Sequence, residues 1–343
     1  MSQRSKASEW RRVRRRWKSC SALAWATAAA LLACTHIARA DESSYPTKAI
    51  QLIVPFDRGS AGDEIARRFA QHLSQSLIEE VQIDSRSGAG AMLGTTLAAR
   101  AKADGYTASI GSLTTHVLEP AMKTVRYDPL EDFDPVTDVA AVPYVIVVKP
   151  AGNVFSLRAL VSTGKAGRRA LGYSSASDPV GFIVAEALKS VSHTKQIVRV
   201  SPESASIGAL AERVNVEVVV ASAPALLEHI HRGAFRPLAT SSVTRVRMLP
   251  DVPTVAESGY PGYDVVDWFA LFVPRGTPVS IISRLHIELG RIATSPEMRS
   301  ELEQLGIEPR SSISNIDVLR RIRADGKKYG GLLKAADARA AAR

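Results

Sequence analysis

A short apolar strand followed by a capped helix is the feature that most constrains the fold of this chain. Leu52–Val54 form the continuous apolar run of a strand covered on both faces, and Pro55 ends it. Ser60 and Asp63 have the spacing of a helix capping box, and apolar residues then recur every four positions through 61–77. The loop between strand and helix faces the free N–H groups of the helix, so it is a candidate site for an anion.

The same alternation of strand and helix patterns continues along the chain, which predicts an α/β fold with mainly parallel sheets. The candidate strands are 50–54, 81–84, 106–111, 142–148, 197–200, 214–220, 237–241 and 266–273. The candidate helices are 61–77, 91–103, 157–163, 180–191, 204–212, 224–232, 278–294 and 297–305. The Ala- and Arg-rich stretch 336–343 predicts a fraying helix end.

The N-terminus has the three parts of an export signal. Six basic residues lie between positions 11 and 18, and an uncharged stretch of 14 residues follows from Ser21 to Cys34. Ala38-Arg39-Ala40 then has the small-x-small pattern of a cleavage site, and the apolar stretch is too short to span a bilayer. Residues 1–40 are therefore predicted to be a signal peptide. Leu31-Leu32-Ala33-Cys34 resembles a lipoprotein box and leaves lipid attachment at Cys34 open as a second route.

Removal of this segment changes what the charge and the cysteines imply. Residues 1–40 hold nine of the 44 basic residues and one of the 34 acidic residues, so the remaining chain has a net charge of +2. The basic character of the precursor therefore does not indicate a nucleic-acid partner. Cys20 and Cys34 both lie in this segment. The exported chain would thus have no disulfide, thiolate metal site or cysteine nucleophile.

A series of short motifs, none of them specific alone, occurs in a fixed order between residues 45 and 310. The motifs are Tyr45-Pro46, Pro55-Phe56, Gly88-Ala89-Gly90 with Gly94, Ala103-Asp104-Gly105-Tyr106-Thr107, Thr115-His116 with Pro120, Tyr127-Asp128-Pro129, Asp132-Phe133 with Pro135-Val136, Leu249 through Glu257, Gly259, Pro261-Gly262, Trp268-Phe269, and Pro274 with Gly276, Thr277 and Pro278. In this order and spacing the chain resembles the Bug-type extracytoplasmic solute receptors. These are the substrate-binding proteins of tripartite tricarboxylate transport systems.

The resemblance implies a periplasmic-binding-protein-like fold, with two α/β lobes around a ligand cleft and two segments that cross between them. Residues 45–147 and 269–343 would form lobe 1, and 148–268 would form lobe 2. Such a receptor captures a small organic carboxylate by Venus-flytrap closure in the periplasm and delivers it to membrane subunits of a secondary transporter. The resemblance implies no catalysis and no metal. We also expect no cofactor, no nucleic-acid partner and a monomeric protein.

The resemblance also places the ligand-binding residues, in loops rich in small residues, hydroxyls and backbone N–H donors. These positions hold Arg58, Gly59, Ser60, Ala61 and Gly62 in the first loop, Ser112, Thr114, Thr115 and His116 in the second, and Ser174, Ser175, Ala221 and Ser222 in lobe 2. Four of them have an alternative interpretation. Arg58 is either a carboxylate donor or a solvated surface residue, and His116 either lines the cleft or is structural. Thr114 and Thr115 either contact the ligand or belong to an ordinary polar loop. Asp63 is expected to cap its helix and order the first loop.

Several departures from the family pattern concern the ligand. Asp57-Arg58 stands where relatives more often have small or apolar residues, and Asp178 could add a negative group to the cleft. Ala221-Ser222 stands where many relatives carry an Asp that helps hold the far end of the ligand. The missing Asp suggests a cleft less suited to an ammonium group. We therefore predict a carboxylate without an α-amino group as the ligand.

Two other functions are alternatives to transport. The chain lacks a Gly-x-Ser-x-Gly elbow, a His-Glu-x-x-His motif and a P-loop, and His229 and His231 are spaced to point to different helix faces. An enzyme is therefore not expected. A ligand sensor that presents its closed form to a membrane signalling protein remains open, because the surfaces that contact a partner carry no recognisable motif.

Overall fold

A computed structural model describes residues 45–166, 171–174, 178–194, 197–199, 207–212, 216–311 and 314–341. The predicted signal peptide, including Cys34, lies outside the described residues, as does Ser175. The strands are β1 (Ile50–Val54), β2 (Val81–Ser85), β3 (Thr107–Ser112), β4 (Phe133–Val148), β5 (Leu171–Ser174), β6 (Ile197–Arg199), β7 (Val218–Ser222), β8 (Arg236–Thr240), β9 (Val266–Pro274) and β10 (Glu308–Pro309). The helices are α1 (Ala61–Leu77), α2 (Met92–Ala99), α3 (Glu119–Met122), α4 (Leu157–Lys165), α5 (Pro179–Ser192), α6 (Ile207–Glu212), α7 (Ala223–His231), α8 (Val279–Thr294), α9 (Pro296–Gln304) and α10 (Asn315–Ala341), with a π-helical turn at Thr114–Leu118.

Each predicted strand and helix has a counterpart in this list. The sequence patterns missed β5, β10, α3, the π-helical turn and most of α10, they began β4 nine residues too late, and they made α2 too long, since it was predicted over 91–103. The early part of β4 contains Asp134, Pro135, Thr137 and Asp138, which interrupt the apolar pattern of a buried strand. The structure nevertheless buries Thr137 and Asp138 completely, because strands and helices cover both faces of β4.

The strands form two groups that share β4. In the first group β2, β1 and β3 run parallel, β9 lies antiparallel beside β3, and the first part of β4 lies beside β9. In the second group β6, β5 and β7 run parallel, and the last part of β4 pairs antiparallel with β7 and β8. Strands β2, β1 and β3 are thus parallel, as predicted, and so are β6, β5 and β7. The antiparallel pairs of β4 and β9 make the sheet as a whole mixed. The α/β fold with two lobes is confirmed.

Two segments cross between the lobes, and buried Ser241 ties them together. β4 changes partners between Pro143, which pairs with β9, and Tyr144, which pairs with β7. The Tyr144 N–H donates to Ser241 Oγ at 2.9 Å, and Ser241 Oγ donates to the Val265 carbonyl at 2.6 Å. Val265 leads directly into β9 of the first lobe. The outgoing and returning segments therefore run side by side.

Helix α10 packs across β4, the π-helical turn and α5. Its buried face contains Val318, Ile322, Tyr329 and Leu333. The polar anchors of this helix are the ion pair of Arg321 with Asp138, the hydrogen bond from Trp268 Nε1 to Asp325 at 2.9 Å, and the hydrogen bond from Lys328 Nζ to the Asp264 carbonyl at 2.8 Å. This helix therefore fastens the C-terminal part of the chain onto the strands next to the crossing segments.

Candidate functional site

The β1–α1 loop is held in shape by Asp63, as predicted. The Asp63 carboxylate accepts hydrogen bonds from the Gly59 N–H at 3.0 Å and from Arg67 Nε at 3.0 Å, and Ser60 Oγ caps the helix by accepting the Asp63 N–H. Burial alone would raise the pKa of Asp63, but the hydrogen bonds from Arg67 and Gly59 lower it below its ordinary value. The ionised carboxylate of Asp63 thus orders the loop through its hydrogen bond with Gly59.

Small residues let this loop lie close to β9. A Cβ atom on Gly62 would lie 2.4 Å from a ring carbon of Phe56 and 3.0 Å from Phe269, so no larger residue fits without a shift. Phe56 and Phe269 meet edge to face with ring centroids 5.4 Å apart. Arg58 is exposed at the tip of the loop. Its position is compatible with both interpretations that the sequence leaves open.

The second predicted loop follows β3 and turns tightly into the π-helical turn. The Ser112 N–H donates to Thr115 Oγ1 at 2.8 Å, and the Thr114 N–H donates to Ser112 Oγ at 3.0 Å. Tyr127 Oη donates to the Thr115 carbonyl at 2.6 Å. Thr115 is completely buried and Thr114 half-buried, so the two threonines differ in what they can offer a ligand. Thr115 braces the loop, and Thr114 lies toward the surface.

His116 occupies the aromatic core rather than an open surface. Its ring stacks on Phe272 with centroids 3.9 Å apart, and its Nδ1 lies 2.9 Å from Thr115 Oγ1. Burial lowers the pKa of His116 to about 3, so the ring is neutral at physiological pH. This placement matches the structural alternative left open for His116. A neutral, buried ring cannot supply a positive charge to an anion in the cleft.

In lobe 2 the predicted positions lie at the carboxyl ends of neighbouring strands. Ser174 ends β5, and Ala221 and Ser222 end β7, which runs parallel to β5. Ala221 is buried and Ser222 half-buried at the start of α7, and Ser222 pairs with Tyr144 on β4. The strands β1 and β3 are likewise parallel neighbours, so each lobe brings two of the predicted loops to one sheet edge.

An acidic cluster of buried Asp267 and half-buried Asp178 joins the two lobes, and only Asp178 was singled out from the sequence. Asp178 caps α5 by accepting the Val180 N–H at 2.9 Å, and Tyr144 Oη donates to its other oxygen. Asp267 on β9 interacts electrostatically with Asp178 and lies against Ser112 in the second loop. Burial raises the pKa of Asp178 and raises that of Asp267 well above its ordinary value. The cluster therefore connects the second loop of lobe 1 to the start of α5 in lobe 2.

One sequence signal could have pointed to the missed residue. Asp267 is the single charged residue in the stretch 265–273, which is otherwise entirely apolar. A carboxylate inside a strand that is buried on both faces has to be paired with a hydrogen-bond donor or cation, protonated, or involved in ligand binding.

Two α/β lobes joined by two crossing segments, with loops of hydroxyl and amide donors at their sheet edges, define a periplasmic-binding-protein-like solute receptor. Residues 65–337 match the model of the tripartite tricarboxylate transporter family receptors, TctC. The chain therefore belongs to the TctC, or Bug-type, receptor family.

Individual relatives agree with this assignment. Protein BugT of Bordetella pertussis is 32% identical over 297 residues, which cover 85% of this chain and 90% of BugT. The solved structure of R. palustris Rpa4515 with adipate is 32% identical and matches with a TM-score of 0.74, covering 85% of this chain and 98% of that chain. The periplasmic binding protein BugD is 25% identical with a TM-score of 0.70, covering 85% of this chain and 99% of that chain.

Two features are absent from the described part of the chain. None of its helices has both the length and the apolar character needed to cross a membrane. In the same residues, no three His, Cys, Asp or Glu side chains lie together in a way that could hold a metal ion. The family and the fold are those of substrate-binding receptors rather than enzymes.

Proposed function

We propose that this protein is a periplasmic receptor that captures a small organic carboxylate between its lobes and delivers it to the membrane subunits of a tripartite tricarboxylate transporter. The observation that carries the proposal is the pair of donor-rich loops after β1 and β3. Family membership and the adipate in the structure of Rpa4515 support a carboxylate as the ligand class.

The proposed ligand-binding set consists of the predicted loop residues except His116. Gly59, Ser60 and Ala61 lie at the N-terminus of a 17-residue helix, whose first N–H groups have no partner within the helix. Thr114 adds a half-buried hydroxyl from the neighbouring loop, while buried Ser112 holds that loop in shape, because its N–H donates to Thr115 and its hydroxyl accepts the Thr114 N–H. Arg58, Gly62 and Thr115 complete the lobe 1 set, with Ser174, Ser175, Ala221 and Ser222 from lobe 2. Buried His116 is left out of the proposed contacts.

The lobes are proposed to close as 45–147 with 269–343 against 148–268. The switch of β4 between Pro143 and Tyr144, close to the proposed boundary, supports this division. We further propose that a signal peptide directs the chain to the periplasm, where it works as a monomer. Mass spectrometry of the exported protein should find Asp41 as the first residue, and a lipid-modified Cys34 would replace that processing route.

A thermal-shift titration of residues 41–343 tests the ligand class with a matched pair of probes. Adipate and adipamide have the same length, but only adipate carries negative charge. At 100 times its dissociation constant a ligand adds about 2.7 kcal/mol, which raises the melting temperature of a protein of this size by about 4 °C. A panel of dicarboxylates and amino acids extends the test. Stabilisation by adipamide alone would reject a carboxylate as the ligand. Stabilisation by amino acids alone would reject the prediction that the ligand has no α-amino group.

Two variants connect binding to the second loop. Thr114→Val should weaken carboxylate binding about tenfold or more, since a hydrogen bond to a charged group contributes roughly 1.5–3 kcal/mol. Ser112→Ala should weaken it too, because the Thr114 N–H then loses its acceptor. Thr163→Val on α4 is the matched control, because Thr163 is exposed and its hydroxyl only bonds back to the Ala159 carbonyl. Equal affinity in all three variants would place the ligand elsewhere. Transport is tested separately, by receptor-dependent uptake into vesicles that contain the membrane subunits.

A further inference from the structure

Asp267 stands at the boundary of the proposed site, and one of its oxygens has no partner. On β9, Phe269 pairs with Ser112, the last residue of β3, so Asp267 lies two positions further on, level with Thr114. Asp267 is only 8% exposed, and its Oδ1 is a buried atom without a hydrogen-bond partner among the described residues. A buried polar atom left unpaired costs free energy, so its position beside the donor loop calls for a functional explanation.

The groups around Asp267 favour its neutral form. The titratable groups nearby are Tyr144 on β4, Asp178 at the start of α5, Asp264 just before β9, and Tyr329 on α10 with Asp325 and Lys328 along the same helix. Burial and the charge of Asp178 both raise the pKa of Asp267, while Ser112 and the Leu113 and Thr114 amides lower it. Because two neighbouring carboxylates shielded from water are not both ionised at low cost, the pair favours a state in which one carboxyl holds a proton.

The hydrogen bonds indicate which of the two keeps the negative charge. Both oxygens of Asp178 accept hydrogen bonds, one from Tyr144 Oη and the other from the Val180 and Gly181 N–H groups. Asp267 also accepts hydrogen bonds, from the Ser112 hydroxyl and the Leu113 and Thr114 amides, but its Oδ1 has no partner among the described residues, so a proton has room on that oxygen. A protonated Asp267 would be a hydrogen-bond donor in need of an acceptor.

We propose that Asp267 is a specificity residue that carries a proton in the ligand-bound receptor and donates it, as a hydrogen bond, to the ligand carboxylate beside Ser112 and Thr114. This inference rests on the proposed function, because it assumes a carboxylate in that loop. The proton comes from solvent and stays on Asp267. Ionised Asp267 would instead repel the ligand, so affinity falls as pH rises through the pKa of Asp267 in the free receptor.

The test compares two replacements of Asp267 by calorimetric titration with succinate, glutarate and adipate at pH 6 and pH 9. Asp267→Asn keeps a hydrogen-bond donor of the same shape, and we expect its affinity at pH 6 to stay within about threefold of the wild type. Asp267→Leu has a similar volume without a donor and should bind about tenfold or more weakly. Asp134→Asn is the control, because Asp134 lies at the opposite end of the β4–β9 ladder and pairs with Arg275.

The pH profile distinguishes this role from a purely structural one. Wild-type affinity should fall between pH 6 and pH 9, whereas Asp267→Asn should keep its affinity and bind more tightly than the wild type at pH 9. Titrations of the wild type in two buffers of different ionisation enthalpy at pH 9 should show proton uptake on binding, and they require no variant. If Asp267→Asn binds as weakly as Asp267→Leu, or if its pH profile is parallel to that of the wild type, the inference is wrong. Failure of all three dicarboxylates to bind the wild type would instead reject the proposed function, and this inference with it.

Discussion

The ion pair of Arg321 with Asp138 gives the sharpest prediction about stability. Asp138 lies in β4 with its side chain completely buried, and Arg321 reaches it from α10 with only 20% of its side chain exposed. Burial raises the pKa of Asp138, and the nearby Arg321 opposes that rise. Arg321→Met preserves most of the apolar packing of the side chain but leaves a carboxylate buried without its cation.

The expected loss of stability follows from that burial. Removing one partner of a buried ion pair costs about 3–5 kcal/mol. A domain of about 300 residues has an unfolding entropy near 0.6 kcal/mol per degree, so the melting temperature should fall by about 5–8 °C. Arg320→Met is a matched control on the same helix, because Arg320 is 72% exposed and its pair with Asp317 is worth about 0–1 kcal/mol.

The pH dependence identifies the cause of the loss. In Arg321→Met the folded-state pKa of Asp138 lies still further above its unfolded value, so folding takes up a proton as the pH falls. The penalty is therefore complete above the folded pKa and fades as the pH drops toward the ordinary Asp value of 3.8. Urea unfolding at pH 5, 6 and 7.5 measures this trend. A deficit below 1 kcal/mol at pH 7.5, or one that is the same at every pH, would refute the reasoning.

Three further predictions concern the loops of the site. Gly111→Ala should destabilise the protein by about 1–3 kcal/mol in thermal melts, because its Cβ would lie 2.3 Å from the ring of His116. Gly290→Ala on α8 is the control and should be neutral or stabilising, because the space around Gly290 is open. His116→Gln should reduce the loss of stability at acid pH. In the wild type, His116 binds a proton on unfolding below pH 6.5, so the free energy of unfolding falls by up to about 1.4 kcal/mol per pH unit until the folded pKa near 3 is reached. Persistence of the wild-type slope in that variant would contradict the buried, neutral ring. Asp63→Asn should cost about 1–2 kcal/mol by urea unfolding above pH 4 and progressively less below it, because the lowered pKa of Asp63 makes its ionised form the stabilising one, and an unchanged deficit at pH 3 would count against this.

The sequence was most informative where local patterns agree with tertiary packing. Each predicted strand and helix is present, and the role of Asp63 in ordering the first loop could be inferred from its spacing to Ser60. The start of β4 could not be inferred from the sequence. Asp138 is tolerated in a buried strand only because it pairs with Arg321, which lies 183 residues further along the chain on α10. The pattern of α10 was missed for a related reason. Its Gly and charged residues weaken the local helix signal, and its buried face has meaning only against β4.

The candidate site shows the same division between local and long-range information. The loops after β1 and β3 follow from strand and cap signals, but the burial of His116 depends on its stacking against Phe272 on β9. The part of the site contributed by Tyr144 and Asp267 depends on how the crossing segments bring the lobes together. A single sequence carries no periodic pattern for such a contact, so only the unusual charge of Asp267 within an apolar stretch could have drawn attention to it.

Two carboxylates near the proposed ligand loops are treated in opposite ways, and the difference favours different roles for them. Asp63 has a cation and a backbone N–H as partners, so it is ionised and its hydrogen-bonding capacity serves the first loop. Asp267 lies near Asp178 and has one oxygen without a partner among the described residues, so its environment favours the neutral form and leaves that oxygen available to a ligand. Beside an anion, an ionised carboxylate is repulsive unless a cation offsets its charge, as Arg67 does for Asp63, whereas a protonated carboxyl can donate a hydrogen bond. The burial that raises the pKa of Asp267 would thus turn a repulsive group into a donor.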